Sequence, residues 1–321
     1  MRNLIAIIAG EPNSINSEII VKSWKKIKIK RNLFVIGNFL LLKNQIKKYG
    51  LKIDIYKINS IEEIKNKKVL NILDVPLNCK STLKLSILET KNYVLNSLDV
   101  AHNLASKKKI KGFINAPVNK TVFKKKFLGV TEYLASKNNI KNKEVMMIYN
   151  KKLSVVPLTT HLEIKNITSK IKDELIKSKI ITLNTSYKKL FKKKAKIAIL
   201  GLNPHNSENR PNSIENKIIK PAIKKLKNLG VDIKGPFAAD TIFSNQKKID
   251  YNVIVGMYHD QVLAPFKALY GYDAINITLG LKYLRISPDH GTAQDIVGLN
   301  KANPQSLISA INFLNNINDQ T

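Results

Sequence analysis

The sequence is poor in several features that define common protein classes. It has one cysteine, Cys79, in 321 residues, which excludes an intrachain disulfide framework and is typical of a reducing compartment. No apolar stretch approaches the ~18 residues that a membrane-spanning helix needs. The apolar run at residues 4–9 is also too short for a signal peptide. We therefore expect a cytoplasmic protein without a membrane partner.

Acidic residues are scarce as well. The 23 Asp and Glu residues stand against 55 Lys and Arg residues, giving a formal net charge of +32. Proteins that bind nucleic acid concentrate such charge in a stripe with interleaved aromatic residues. Here the lysines are spread along the whole chain and aromatic residues make up only 7%. We therefore predict no specific nucleic-acid partner, although the charge should attract small anionic substrates.

The sequence also contains no internal repeat, no linker rich in Pro, Gly or Ser, and no G-x-G-x-x-G fingerprint of a Rossmann domain. Apolar runs instead alternate with amphipathic segments, a pattern typical of βαβ units and a mostly parallel sheet. At 321 residues and 44% hydrophobic content, the chain is large enough for two packed domains. We predict an α/β protein, with helices over 17–29, 85–107, 168–179, 214–229 and 304–315.

Histidine is rare, with five in the chain, yet three of them follow apolar, strand-like runs. His161 comes after residues 153–157, His205 after 197–200 and His259 after 253–257. Ligands of open α/β sheets bind outside the carboxyl ends of the strands. Three imidazoles that converge there would suit a divalent metal. The fourth, His102, lies within a predicted helix, and we interpret it as structural.

Several loops carry further candidate residues. Residues 10–18 form a Gly- and Pro-containing turn after the first predicted strand, and residues 115–120 follow another strand. The densest stretch is 257–298, where Lys267, Asn276 and Arg285 could hold a phosphate or carboxylate. The segment Asp289-His290-Gly291-Thr292-Ala293 places a glycine in a turn that we expect to precede a helix, where backbone N–H groups could face an anion or nucleotide.

These segments, taken in order, resemble the 4-hydroxythreonine-4-phosphate dehydrogenases, NAD-dependent enzymes of pyridoxal phosphate biosynthesis, over nearly the full length. The matching segments are 10–20, 115–120, 129–135, 159–162, 201–205, 235–243, 257–261, 276–281 and 289–298. The resemblance implies two α/β/α domains with a cleft between them, similar to isocitrate and isopropylmalate dehydrogenases. We place the first domain at 1–125 plus 285–321, carrying the cofactor loop, and the second at 126–284.

The resemblance also implies a homodimer with shared active sites and a role for each candidate residue. A divalent cation (zinc, magnesium or cobalt) would be held by His161, His205 and His259. The phosphorylated substrate would contact Thr131, Lys267, Asn276 and Arg285. NAD or NADP would bind the loop that contains His290, Gly291, Thr292, Ala293 and Asp295.

The reaction that the resemblance implies is an oxidation followed by loss of carbon dioxide. The metal acidifies the hydroxyl of 4-phosphooxy-L-threonine, and a hydride passes to the nicotinamide. The resulting β-keto acid decarboxylates to 3-amino-2-oxopropyl phosphate, either on the enzyme or after release. Lys267, Asp240 and a metal-bound water are the candidate general bases.

The chain departs from the family pattern in three places. Val130 stands where the family usually carries a substrate-contacting histidine, and valine can neither donate a hydrogen bond nor carry charge. The loop at 10–18 and the loop after His205 both lack glycines that the family usually has. These departures bear on rate and substrate, and they leave open a paralogous dehydrogenase for phosphorylated threonate or erythronate. A non-catalytic protein on the same scaffold predicts lost metal ligands, whereas all three histidines are present.

Overall fold

The computed structural model describes residues 3–28, 30, 32–64, 68–77, 85–140, 142–244, 250–271 and 273–317; Cys79 lies outside them. The strands, in chain order, are β1 (Ile5–Ile8), β2 (Leu33–Gly37), β3 (Ile55–Ile58), β4 (Leu70–Asp74), β5 (Gly112–Asn115), β6 (Val145–Tyr149), β7 (Ser154–Thr159), β8 (Ile197–Leu200), β9 (Ile233–Phe237), β10 (Val253–Tyr258), β11 (Ile275–Leu279) and β12 (Leu284–Pro288). The helices are α1 (Asn16–Lys26), α2 (Phe39–Lys48), α3 (Ile87–Ser106), α4 (Val130–Lys137), α5 (Ile167–Lys170), α6 (Asp173–Phe191), α7 (Lys220–Asn228), α8 (Ala239–Ile242), α9 (His259–Tyr270) and α10 (Gln305–Asn316).

One compact unit comprises Met1–Leu134 and Lys282–Thr321. Its strands lie in the order β3-β4-β2-β1-β5-β12, and each neighbouring pair is parallel. Strands β1, β2 and β5 are buried at every position, which explains their uninterrupted apolar sequences. Helix α3 packs against these three strands, and α10 packs against β12, β1 and β5.

The other compact unit comprises Ala135–Leu281. Its strands lie in the order β11-β6-β7-β10-β8-β9. Strand β6 is antiparallel to both β11 and β7, whereas β7, β10, β8 and β9 form a parallel run. Part of the core is a cluster that includes Val155, Ala198, Ile254 and Phe266, each fully buried. The parallel run brings the carboxyl ends of four strands to one edge of this sheet.

The predicted helices form with two corrections. The helix predicted at 168–179 is wrong in its bounds, because Ile171 and Lys172 are extended and end α5. Asp173 and Glu174 then begin α6, where acidic residues suit a helix N-terminus. The helix predicted at 214–229 begins as a π-helical turn over Glu215–Ile219 before it continues as α7. By contrast, α3 starts as expected, with a capping box between Ser86 and Glu89.

The described helices include none that is both long enough and apolar enough to cross a membrane.

Candidate functional site

The three histidines singled out from the sequence follow three neighbouring parallel strands. His161 comes two residues after β7, His259 directly after β10, and His205 five residues after β8. These strands are adjacent in the order β7, β10, β8, and the next strand, β9, is followed by Asp240 in the first turn of α8. The topology therefore places four side chains, of residue types that can bind a metal or a proton, after four neighbouring strands at one edge of the sheet.

Side-chain hydrogen bonds hold these strand ends in register. The Thr159 hydroxyl donates to the Met257 carbonyl at 2.7 Å and so joins the ends of β7 and β10. The Gln261 side chain accepts from the Met257 N–H and donates to the Gly201 carbonyl, both at 2.7 Å. It therefore joins β10 to β8. Gly256 makes this possible, because a Cβ there would lie 2.5 Å from Val262 Cγ1 and 3.0 Å from Gln261 Oε1.

His161 and His259 form the closer part of the histidine group. Their ring centroids are 6.0 Å apart, with the ring planes inclined by 34°. The Nδ1 atom of His259 lies 2.6 Å from Oδ1 of Asp260, so the carboxylate fixes the imidazole in one orientation. The backbone of His161 has a φ of 51°, in the left-handed region. Such strain in a non-glycine residue is concentrated at functional sites.

His205 lies on a loop with an unusual backbone. Five consecutive residues, His205 to Asn209, have φ between 49° and 59°, and none of them is glycine. A left-handed turn of L-residues costs roughly 1–2 kcal/mol per residue, so other contacts must hold it. The His205 side chain is 71% exposed, and its Nε2 atom lies 3.6 Å from Oδ2 of Asp240. Asp240 is thus a neighbour of His205.

The structure brings the histidines together only in part. Among the described residues, no group of three or more His, Cys, Asp or Glu side chains is close enough to hold a metal ion. The pair His161–His259 fits a shared ion, because two imidazoles at Zn–N distances of about 2 Å place their ring centroids roughly 5–6 Å apart. His205 pairs with Asp240 instead. Imidazole and carboxylate donors together suit zinc or a similar divalent cation.

Lys267 and Asn276 lie in the same unit as the histidines. Lys267 is in the last turn of α9, eight residues and therefore about 12 Å along the helix axis from His259. Its side chain leans towards the helix N-terminus, which shortens that separation. Asn276, on β11, has a buried Oδ1 atom that accepts no hydrogen bond from the described part of the chain. A buried acceptor of this kind suits a donor group on a ligand.

Arg285 and Thr131 form a second cluster, in the unit that contains β5 and β12. Arg285 is only 3% exposed. Its Nε donates to Asn115 Oδ1 at 2.6 Å, and Nη1 donates to Thr131 Oγ1 at 3.2 Å. Burial lowers the pKa of Arg285 to about 10, although Glu132 and Tyr283 raise it in part. The guanidinium therefore stays charged at neutral pH. It would attract an anion by its charge, and it orients the Thr131 hydroxyl, which could donate to that anion.

The predicted cofactor loop follows β12. His290 Nδ1 lies 3.0 Å from the Gly291 carbonyl, and the Thr292 carbonyl accepts from the Ile15 N–H at 3.2 Å. A Cβ at Gly291 would meet no atom within 4 Å, so a ligand could approach this backbone. The expected helix after the loop is absent: Ala293 has a φ of 44°, and only a three-residue 3-10 turn, Gln294–Ile296, follows. Gly298 and Asn300 also have positive φ, which no right-handed helix accommodates.

Glu11 is a buried carboxylate in the loop after β1, at 4% exposure. Its Oε2 atom has no hydrogen-bond partner among the described residues. Burial raises the pKa of Glu11, and hydrogen bonds from the backbone of Asn119 and Asn13 lower it only in part. A group whose folded pKa lies above its unfolded value favours folding most at low pH, and it loses that contribution as the pH rises.

We expect Glu11→Gln to be more stable than the native chain at pH 7, because an amide carries no charge to desolvate. The gain should vanish near pH 4, below the ordinary pKa of 4.5, where both side chains are neutral. Urea unfolding between pH 4 and 7 measures the difference, with the exposed Glu163→Gln as control. A difference in unfolding free energy that does not change with pH would contradict this prediction.

Glu215 is a buried residue that the sequence did not single out. It is 0% exposed and begins the π-helical turn before α7. Burial raises its pKa, but hydrogen bonds from Asn203 and Ser207 outweigh this, so the pKa lies below its ordinary value. A signal was available, since Glu215 shares helical spacing with the buried residues Ile219, Ala222 and Leu226. A charged residue on an apolar stripe indicates a buried polar network.

Comparison with known proteins gives consistent matches. The family model described as pyridoxal phosphate biosynthetic protein PdxA matches residues 29–314. A 4-hydroxythreonine-4-phosphate dehydrogenase of Sulfurihydrogenibium is 38% identical over 320 residues, 96% of either chain. A D-threonate 4-phosphate dehydrogenase of Pectobacterium atrosepticum is 31% identical and covers 97% of this chain, 98% of its own.

Solved structures match over the same length. The 4-hydroxythreonine-4-phosphate dehydrogenase of Klebsiella pneumoniae has a TM-score of 0.86 at 28% identity, covering 97% of this chain and 98% of its own. The isocitrate dehydrogenase of Methylococcus capsulatus has a TM-score of 0.50 at 11% identity, covering 97% of this chain and 85% of its own. The second likeness shows the fold alone, and it confirms the predicted isocitrate dehydrogenase-like α/β class.

Proposed function

Because the chain belongs to the PdxA family of pyridoxal phosphate biosynthetic proteins, we propose that it is an NAD- or NADP-dependent 4-hydroxythreonine-4-phosphate dehydrogenase. Its substrate is then 4-phosphooxy-L-threonine. The observation that carries the proposal is the placement of His161, His259 and His205 after three adjacent parallel strands, with Asp240 after the fourth. A fold shared by many activities would not suffice, since function depends on the residues of the site.

The proposed reaction balances as an oxidation and a decarboxylation. The substrate loses the hydroxyl proton to a base and a hydride to the oxidised nicotinamide, which leaves a β-keto acid. That acid loses carbon dioxide, and a proton replaces the carboxyl group to give 3-amino-2-oxopropyl phosphate. The chain must therefore bind a phosphate, orient a hydroxyl-bearing carbon and accept one proton.

His161, His205 and His259 are the residues that would hold the divalent cation. Zinc, magnesium or cobalt bound there would supply Lewis-acid polarisation of the reacting oxygen. Asp260 orients the His259 ring, and Asp240 lies beside His205, with 3.6 Å between Oδ2 and Nε2. Asp240 and Lys267 are the candidate bases. We favour Asp240, because it lies beside a proposed ligand whereas Lys267 lies two helical turns away.

The phosphorylated substrate would contact Thr131, Lys267, Asn276 and Arg285. Arg285 supplies buried positive charge and orients the Thr131 hydroxyl. The side-chain oxygen of Asn276, which accepts no hydrogen bond from the described residues, would accept one from the substrate. The nicotinamide cofactor would accept the hydride and would bind along His290, Gly291, Thr292, Ala293 and Asp295. Gly291 leaves that backbone open. We further propose a cytoplasmic homodimer with shared active sites.

A second candidate is oxidation of D-threonate 4-phosphate, the substrate in the name of the Pectobacterium relative. This substrate carries a hydroxyl where 4-phosphooxy-L-threonine carries an ammonium group. Val130, the first residue of α4, can donate no hydrogen bond to either. It therefore removes one contact by which a polar side chain in its place would distinguish them.

The test is NADH or NADPH formation with each of the two substrates, before and after chelation and again after Zn²⁺, Co²⁺ or Mg²⁺ is returned. We expect turnover of 4-phosphooxy-L-threonine to be lost with the chelator and restored by a metal. A kcat/KM that is higher for D-threonate 4-phosphate would overturn the proposed substrate and retain the reaction class. Undiminished turnover in the presence of chelator would show that His161, His205 and His259 do not hold a metal needed for the reaction.

A further inference from the structure

The loop that carries His205 is held by one buried carboxylate. Oε1 of Glu215 accepts the backbone N–H groups of Leu202 at 3.0 Å and Asn203 at 2.9 Å. It also accepts from Asn203 Nδ2 at 3.1 Å. Oε2 accepts from the Ser207 hydroxyl at 2.9 Å and from Asn203 Nδ2 at 3.4 Å. The Glu215 side chain therefore binds the loop at Asn203, two residues before His205, and at Ser207, two residues after it.

These contacts matter because the backbone conformation of the loop is unfavourable. The left-handed turn from His205 to Asn209 is unfavourable for L-residues, and the His205 side chain extends into solvent. A carboxylate that accepts several N–H and O–H donors makes charge-assisted hydrogen bonds, which are stronger than neutral ones. Glu215 is also fully buried, so a carboxylate oxygen that loses its donors there is costly to leave unpaired.

The far end of the turn has its own support. Asn216, next to Glu215, donates from Nδ2 to the carbonyls of Asn209 at 2.6 Å and Arg210 at 2.7 Å. Asn206 donates from Nδ2 to the carbonyl of Pro236 at 3.0 Å; Pro236 belongs to β9 and precedes Asp240 by four residues. The π-helical turn that starts at Glu215 thus supports both ends of the loop. Such turns are frequently found at functional sites.

We propose that Glu215 is the positioning residue for His205: its carboxylate fixes the strained loop so that the imidazole stands beside Asp240, ready to bind the metal. The inference rests on the proposed metal role of His205. Glu215 itself touches neither substrate nor metal, and its effect reaches them through residues 202–207. A residue that only stabilised the fold would change the melting temperature and leave metal affinity unaltered at temperatures well below unfolding.

The experiment compares Glu215→Gln, Glu215→Ala and His205→Ala with Glu208→Gln as matched control. Glu208 lies in the same loop, is 70% exposed and pairs with Arg210, and the same chemical change there should have no effect. Two quantities are measured at 25 °C: hydrogen exchange of the Leu202 and Asn203 amides in metal-free protein, and Co²⁺ affinity by competition with a chelating dye. The hydrogen-exchange measurement needs no metal, so it reports only on the hydrogen bonds that Glu215 accepts from the loop.

We expect Glu215→Ala to speed exchange of both amides by tenfold or more. Glu215→Gln keeps one carbonyl acceptor, so it should protect these amides better than alanine does. Both variants should weaken Co²⁺ binding by roughly 10- to 100-fold, the range seen when residues behind metal ligands are removed. If the alanine variant fails to fold, the glutamine variant alone decides the result.

Two outcomes overturn the inference in distinguishable ways. Native Co²⁺ affinity in Glu215→Gln, together with weakened affinity in His205→Ala, would remove the role of Glu215 and leave the metal site intact. Native affinity in His205→Ala would remove the metal role of His205, and the inference with it.

Discussion

His259→Ala should lower kcat/KM for the phosphorylated hydroxy acid by about 1,000-fold. A metal that polarises the reacting oxygen contributes several kcal/mol to the transition state, and each 1.36 kcal/mol corresponds to a tenfold change in rate. His259 is held by Asp260 at 2.6 Å and by its place as the first residue of α9. Alanine there also leaves His161 without its neighbouring ring at 6.0 Å.

The measurement is steady-state kinetics with saturating Zn²⁺ or Co²⁺, combined with metal affinity. A suitable control is His102→Gln, because His102 lies on α3 and makes a 2.8 Å hydrogen bond to the Tyr283 hydroxyl, which an amide can replace. That variant should keep native kinetics. If His259→Ala kept more than a tenth of native kcat/KM with unaltered metal affinity, His259 would not be a ligand.

Arg285→Met should lower kcat/KM by about 100-fold or more, mainly through a higher KM. Each charge-assisted hydrogen bond that helps hold a phosphate contributes about 1.5–3 kcal/mol, and methionine removes both the charge and the donors. The substitution also deprives Asn115 Oδ1 and Thr131 Oγ1 of their donors at 2.6 and 3.2 Å. A buried acceptor left unpaired costs about 1–3 kcal/mol of stability, so urea unfolding should be measured alongside the kinetics.

Arg285→Lys separates charge from geometry at this position. Lysine keeps the positive charge, but its single ammonium group cannot reproduce the planar fork that reaches Asn115 and Thr131 together. We expect it to recover only part of the loss in KM. Arg210→Met, which removes an exposed arginine paired with Glu208, is the control and should leave KM unchanged. A native KM in Arg285→Met would show that the guanidinium does not hold the phosphate.

Much of the α/β organisation was predictable because buried parallel strands leave a simple signature. β1, β2, β5 and β8 are apolar runs buried on both faces, and the positions of the histidines after such runs indicated the edge at which they would lie. β3 and β9, at the outer ends of the sheets, lack this signature. Each contains two successive exposed residues, so no buried apolar run marks them.

The local shape of the site was much less predictable. Left-handed backbone usually requires glycine or asparagine. It is adopted here by His161, and in the turn after Pro204 also by His205, Ser207 and Glu208. For the turn that contains His205, the support comes from Glu215, whose hydrogen-bond donors lie 8 to 13 residues away in sequence. The pairing of Arg285 with Asn115 spans 170 residues, a separation across which no local pattern carries information.

The unit that contains β1 is built from two separate parts of the chain, Met1–Leu134 and Lys282–Thr321. This affects how the unit folds during synthesis. β12 completes this sheet by pairing with β5, yet it is translated only after the entire stretch Ala135–Leu281. At ribosomal rates of about 5–20 residues per second, that delay is roughly 7–30 s. During this time β5 has an unpaired edge that can template aggregation. Nascent chains arrested before residue 282 should therefore recruit chaperones, and release past residue 316 should end that association.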